Sequence, residues 1–316
     1  MIDDKTCLNL AIEALRNYGI ENPQIKRLGG ASNTNFKVDI DDKSYVLRLH
    51  TSNARHDRDA ISSELFWLKS LHNASLVVPK PIVNLKGELV TSVPADSEKE
   101  TLCTLMQWIE GKISPTIDAM TNEQLVQTGS LMAQLHIHSQ QFKIPTNYKR
   151  HTFDTPHFSG RLEVLYTALS NTELDKSELN NFKSNANYII NYYAQLECKQ
   201  DTFGLIHADF HSGNYLLHND KVHIIDFDLC GFGFYFYDLA LALMEQNITQ
   251  REAFLQGYEK IKPLPANYTK LKHLFLSLAY LDNLGFLVAN QEELPFVIGE
   301  FPFVVEAFRH AVENIT

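Results

Sequence analysis

The stretch Leu205–Leu239, LIHADFHSGNYLLHNDKVHIIDFDLCGFGFYFYDL, sets acidic and amide side chains around two short apolar runs. Asp209 and Asn214 stand five positions apart in a polar loop, after the apolar Gly204–Ile206 and before the apolar Tyr215–Leu217. Asp226 follows the strand-like Val222–Ile225. A loop carboxylate, an amide five residues on and a carboxylate ending the next strand are what phosphoryl transfer needs. One group receives the hydroxyl proton, and two oxygen ligands hold Mg²⁺ against nucleotide phosphates.

Two other readings fit parts of the stretch. His207, Asp209 and His211 alternate in a way that also suits a Zn²⁺ hydrolase, since imidazole and carboxylate both ligate that ion. Asp226 and Asp228 can equally be solvated carboxylates at a strand end. The joint pattern favours the first reading. Asn214, the apolar strand between the two acidic sites and the helix start at Asp238-Leu239-Ala240 all fit it, whereas the hydrolase explains none of them.

The pattern resembles the catalytic and metal-binding loops of the aminoglycoside phosphotransferase and choline kinase-like family. There it reads His-Gly-Asp, four residues, Asn, then Ile-Asp-Phe. Here it reads His207-Ala208-Asp209, four residues, Asn214, then Ile225-Asp226-Phe227. The Cys230–Gly233 run followed by Tyr237–Ala240 is similar to bacterial members grouped with type II homoserine kinases. The resemblance implies an α+β, bilobal protein-kinase-like fold, with a small N-terminal antiparallel sheet lobe and a larger, mainly helical C-terminal lobe. It implies ATP and Mg²⁺ as cofactors, Asp209 as the group that accepts or orients the hydroxyl proton, and Asn214 and Asp226 as metal ligands. His207 is expected to orient the loop. His211 stands where protein kinases carry a Lys near the transferred phosphoryl, and is expected there as a catalytic contact. Asp238 is expected to cap its helix and brace the catalytic loop. Ala208 departs from the usual Gly, and Asp228 replaces the Gly of a protein kinase's Asp-Phe-Gly.

Upstream, Phe36, Val38 and Ile40 alternate as in a strand, preceded by the small residues Gly29, Gly30 and Ser32. Small side chains in a turn free backbone N–H groups for phosphate oxygens. The next strand, Tyr45–His50, places Val46 and Arg48 on one face. Val46 is expected to roof the adenine while the Arg48 guanidinium binds phosphate in bidentate fashion. Glu64, sixteen residues on in the helical segment Asp59–His72, is expected to clamp Arg48. Thr101–Ile109 reads as the strand and linker joining the lobes, with backbone groups of Gln107–Ile109 facing the adenine edge. Residues 1–106 therefore form the expected nucleotide-binding lobe and residues 107–316 the catalytic and acceptor-binding lobe.

The chain's length of 316 residues favours two lobes over a single core. With 38 acids against 28 bases, a formal charge of −10 disfavours a nucleic-acid binder. Cys7, Cys103, Cys198 and Cys230 lack CxxC spacing and read as reduced thiols of a cytoplasmic protein. The acidic start is unlike a signal peptide, and apolar runs stay short of the ~18 residues of a membrane span. The expected activity is ATP-dependent transfer of the γ-phosphoryl group to a hydroxyl of a small molecule: an amino alcohol, a hydroxy-amino acid or an aminoglycoside. A nucleotide-binding pseudokinase is the alternative, although such proteins commonly lack one of Asp209, Asn214 and Asp226. A protein kinase is disfavoured, because eleven residues between Asp226 and Asp238 are too few for a peptide-binding activation segment.

Overall fold

Antiparallel strands build the first third of the chain and helices most of the rest, in a computed structural model that describes residues 4–29, 33–51, 57–96, 99–265 and 267–315. The order is α1 (Asp4–Arg16), β1 (Gln24–Gly29), β2 (Thr34–Ile40), β3 (Lys43–His50), α2 (Arg58–Asn73), β4 (Pro81–Ile82), β5 (Thr91–Asp96) and β6 (Lys99–Gln107). After the crossing come β7 (Lys112–Ile113), α3 (Asn122–Gln141), α4 (Thr155–Ser170), α5 (Lys176–Tyr193), β8 (Phe203–Ile206), β9 (Tyr215–His218), β10 (Lys221–Ile224) and β11 (Gly231–Phe234). Then α6 (Tyr235–Met244), α7 (Ile248–Glu259), α8 (Tyr268–Leu287) and α9 (Leu294–Ile315) complete the chain. This is the expected bilobal α+β architecture.

The first sheet runs β1-β2-β3-β6-β4, with β5 also on β6. Its central pairing sets Arg48 opposite Asn35 on one side and Thr104 on the other. Gly29 ends β1, where the ladder to β2 shifts register. Gly30 and Ser32 lie outside the described residues. Two small antiparallel sheets then shape the site. The β9–β10 hairpin joins β7, and β11 pairs with β8 so that Gly231 faces Ile206. That last pairing brings the chain after Asp226 back beside the chain before His207.

α2 starts because the Asp57 side chain accepts from the Ala60 amide at 3.0 Å, which satisfies one of the helix's free N–H groups. Its buried face (Ile61, Leu65, Trp67 and Leu68) belongs to one apolar cluster with Leu125 and Met132 of α3 and with Phe210, Tyr215 and Phe227. Trp67 meets Phe227 edge-on at 5.5 Å. Each such fully buried side chain contributes about 1.5–3 kcal/mol, so α2 is anchored to α3 and the segments around Phe210 and Phe227.

Two elements depart from the sequence reading. The helix whose start was read at Asp238 begins at Tyr235, and Asp238 does not cap it. The N-cap position is Phe234, and the Asp238 oxygens are used elsewhere. α7 was not foreseen, because its buried side is Gln250, Phe254, Gly257 and Tyr258 and carries little apolar period. It lies against α3 through two glycines. A Cβ on Gly129 would meet Phe254 O at 1.9 Å, and one on Gly257 would meet Val126 O at 1.9 Å. Backbone cannot retreat as a side chain can. Gly129→Ala should therefore cost about 1–3 kcal/mol or more, seen as a lower urea midpoint; an unchanged midpoint would contradict this packing.

Candidate active site

The loop after β8 is held from below by one buried carboxylate. Asp238 accepts the His207 amide at 3.0 Å and the Ala208 amide at 2.8 Å, and His136 Nε2 lies 3.1 Å from the same carboxylate. Tyr258 in turn stands 2.8 Å from His136 Nδ1. Burial keeps His136 neutral, with its pKa below the usual value. The bracing role expected of Asp238 is thus made by its side chain, without a helix cap. Ala208 has φ +61°, the left-handed region that a Cβ disfavours, which accounts physically for the Gly usual at this position.

His207 is fully buried and neutral, because burial lowers its pKa. Its Nε2 donates to Ile225 O at 3.1 Å, and its Nδ1 accepts the Asp209 amide at 3.2 Å. Both ring nitrogens are engaged, which removes His207 as a metal ligand. Among the described residues no group of three or more His, Cys, Asp or Glu side chains is arranged to hold a metal. The Zn²⁺ hydrolase has no site here.

Asn214 Nδ2 donates to both Asp209 O and Asp209 Oδ2 at 2.8 Å. The Ile225 amide donates to Asn214 O at 3.1 Å, so the segment ending in Asp226 is tied to the same loop. Because the Asn214 NH₂ is spent on Asp209, its oxygen is turned away and takes no hydrogen bond among the described residues. His211 Nε2 lies 3.5 Å from Asp209 Oδ1. That contact raises the His211 pKa. Burial pushes Asp209 up, but His211, His207 and Asn214 outweigh it and hold the carboxyl below its ordinary range. Glu245, at the end of α6, accepts Ser212 N and Ser212 Oγ at 2.8 Å and fixes the turn carrying Asn214.

Arg48 gathers three acids. Nη1 donates to Glu64 Oε1 at 3.0 Å, Nη2 to Asp226 Oδ1 at 3.0 Å, and Asp228 Oδ1 lies 3.6 Å from Nη1. Arg48 is 6% exposed. Burial works against its charge, yet Asp226, Glu64 and Asp228 prevail and its pKa is raised. Asp226 has φ +63°, and its Oδ2 takes no hydrogen bond among the described residues. Asn214 and Asp226 therefore offer a neutral and an anionic oxygen, the hard donors Mg²⁺ takes alongside water and phosphate. At the lobe junction, Gln107 N donates to Lys80 O at 2.8 Å and Trp108 N to Ser44 O at 3.1 Å. Only the N–H of Ile109 stays uncommitted there among the described residues. Of the other expected nucleotide contacts, Val46 is half-buried beside Arg48 on β3.

Beside Asp209 opens a cavity of about 830 Å³ walled by α4, α6 and α8. The sequence reading missed the residues that shape it. Arg150 is buried and donates to Cys230 O, Ala60 O and Asp228 O at 2.6, 3.2 and 2.5 Å, which locks the segment before α4 onto the Asp226–Cys230 turn. Asp282 of α8 bonds Arg161 Nε and Tyr237 Oη, both at 2.5 Å. No local motif marks these residues, since they meet only after the helices pack.

Compared with known proteins, residues 24–274 match the model of the phosphotransferase enzyme family, APH. An amicoumacin kinase of Bacillus subtilis (strain 168) is 24% identical over 323 residues, covering 96% of this chain and 91% of that protein. Two solved structures share the fold. A microcompartment-associated aminopropanol kinase has a TM-score of 0.81 at 24% identity, with 98% of each chain covered. An amicoumacin kinase bound to AMP-PNP, Ca²⁺ and Ami has a TM-score of 0.80 at 20% identity, covering 96% of this chain and 94% of that one.

Asp238→Asn keeps the side chain's size but sets an NH₂ among three buried donors. A loss of about 1–3 kcal/mol is expected for the group left unsatisfied, read as a lower melting temperature. An unchanged melt would mean that the loop does not hang on this carboxylate.

Proposed function

The chain belongs to the phosphotransferase enzyme family, and from that premise we propose that Asp209, Asn214, Asp226 and Arg48 are the working residues of an ATP-dependent kinase for a small amine-bearing alcohol. One observation carries the reading. Asn214 bonds Asp209 and accepts the Ile225 amide just before Asp226, Asp226 joins the Arg48–Glu64 pair, and Asp209 opens onto the 830 Å³ cavity. In this reading residues 1–106 bind nucleotide, residues 107–316 carry catalysis and the acceptor, and the protein works in the cytoplasm. Among the described residues no helix is long and apolar enough to cross a membrane.

Asp209 takes the proton of the acceptor hydroxyl as its oxygen bonds to the γ-phosphorus. The bond from that phosphorus to the β–γ bridging oxygen breaks, and ADP departs with the electron pair. Asn214 holds Asp209 in place, Arg48 neutralises phosphate oxygens, and Glu64 keeps Arg48 aimed. Bound through Asn214 and Asp226, Mg²⁺ supplies charge neutralisation at the phosphates. Backbone groups of Gln107 and Ile109 meet the adenine edge, the former through its carbonyl because its N–H is taken. Gly29 meets the phosphates, and Val46 covers the base. His211 Nδ1 accepts the Gly213 amide at 3.2 Å, which turns its Nε2 toward Asp209 and the transferred group.

The cavity lining supports a cationic acceptor modestly. Asp209, Glu245 and Asp282 face Lys149, Arg150 and Arg161. Arg150 is committed to three carbonyls, Lys149 pairs with Asp57 and Arg161 with Asp282. Asp209 is the acid left open to a ligand. The aminopropanol kinase among the similar proteins agrees with an amine-bearing acceptor.

Asp209→Asn should lower turnover ~10²–10⁴-fold while calorimetry still detects MgATP binding. Asp226→Ala should lose MgATP affinity and turnover together. Arg48→Lys keeps the charge without the forked geometry, so the apparent KM for ATP should rise. Wild-type turnover in the Asp209 variant would overturn the assignment.

A further inference from the structure

The cavity beside Asp209 is larger and more apolar than a short amino alcohol requires. Its volume of about 830 Å³ falls in the range of about 300–1,000 Å³ in which sites enclose ligands of drug size. Two helices present the same kind of face to it. On α6, Leu241, Met244 and the capping Glu245 recur at i, i+3 and i+4, and on α8 Asn283, Phe286 and Leu287 do the same. Leu229, from the turn after Asp226, lines the cavity as well.

These apolar side chains are only half used by the core. Leu229, Leu241, Met244 and Leu287 are half-buried, packed on one side against the apolar cluster of the helical lobe and open on the other to the cavity. Phe286 is 46% exposed. The Arg161 guanidinium lies over its ring, 5.6 Å from the centroid, and Asp282 holds Arg161 there at 2.5 Å. The charged groups of the wall are engaged with protein. Arg150 donates to three carbonyls, Lys149 pairs with Asp57, Arg161 with Asp282, and Glu245 accepts from Ser212. His151 and His157 face each other with ring nitrogens 2.8 Å apart. Beyond Asp209, most of what the wall offers a ligand is apolar surface. A concave apolar patch continuous with a reactive carboxylate marks a binding surface.

We infer that the acceptor is an amphiphile, with its hydroxyl at Asp209 and an apolar, ring-sized body on the wall formed by Leu229, Leu241, Met244, Phe286 and Leu287. The inference rests on the kinase reading above and adds the size and polarity of the acceptor to it. A short amino alcohol leaves this wall in water and gains nothing from it. A larger apolar body removes it from water, which is favourable in proportion to the area covered. An aromatic body gains further from the Phe286 ring and the Met244 sulfur. Phe286 is the residue that sets this preference, because it is the most exposed of the five.

Alaninol and phenylalaninol carry the same amine and hydroxyl and differ by one phenyl ring. With MgADP bound, calorimetry on the full chain should find phenylalaninol about tenfold to a hundredfold tighter. Phe286→Ser should cut that ratio by about threefold or more, with the melting temperature held because the side chain is half exposed. In the wild-type protein, which needs no substitution, nuclear Overhauser contacts should run from the phenyl ring to the Met244 methyl. Equal affinities, no binding of either probe, or a ring without contacts at Met244 would overturn the inference. So would a preference that Phe286→Ser leaves unchanged. If that variant altered the sedimenting mass and not the ratio, the face would serve a contact between copies and the inference would fall. MgATP binding to the wild-type protein tests the kinase reading alone. Its absence would sink that reading, whereas MgATP binding with equal affinities for the two probes would sink only this inference.

Discussion

The buried guanidinium of Arg48 is the interaction on which the rest of the structure leans. It stands on the third strand of the first sheet, yet its partners come from α2 and from the end of β10, so one cation joins three separate parts of the chain. Taking a charge out of water costs several kcal/mol unless other charges and hydrogen bonds replace the solvent. Glu64 and Asp226 do so at 3.0 Å each. The sheet, the helix and the acidic turn therefore cannot drift apart without stranding a buried charge. The Trp67–Phe227 contact repeats the same connection in apolar form.

The second constraint is conformational. Ala208 and Asp226 both hold positive φ, at +61° and +63°. Non-glycine residues persist in that region only when their surroundings over-determine them. Asp238 supplies this for Ala208 by gripping two consecutive amides, and Arg48 with the Asp228 amide supplies it for Asp226. The twist at Ala208 helps set Asp209 between Asn214 and the cavity. Rigidity below the loop and an open face above it are the two things a phosphoryl-transfer site asks of its scaffold.

The cavity beside Asp209 is built differently. Its wall comes from the residues before α4, from α6 and from α8, which are far apart in sequence and carry no common motif. Asp282 looks like an interruption in an apolar helix until Arg161, Tyr237 and His157 arrive around it. Arg150 is a buried clamp on three carbonyls.

What the sequence determined by itself was the grouping around Asp209, Asn214, Asp226 and Arg48. Asp209 and Asn214 are close along the chain, Asp226 follows one short strand later, and Val46 and Arg48 share a face by the period-two rule of a strand. Local spacing constrains such residues, so their pairing, with Glu64 on the mid-helix face, could be read before folding. The helix boundaries near Asp238 and the whole of α7 were less legible, because α7 buries glycine and glutamine rather than an apolar stripe. Only the tertiary structure decided the cavity beside Asp209, the clamp at Arg150 and the meeting of Asp282 with Arg161 and Tyr237. Their contacts span dozens of residues, and nothing local constrains which helix faces meet. That choice is made by packing, and packing is a property of the whole chain.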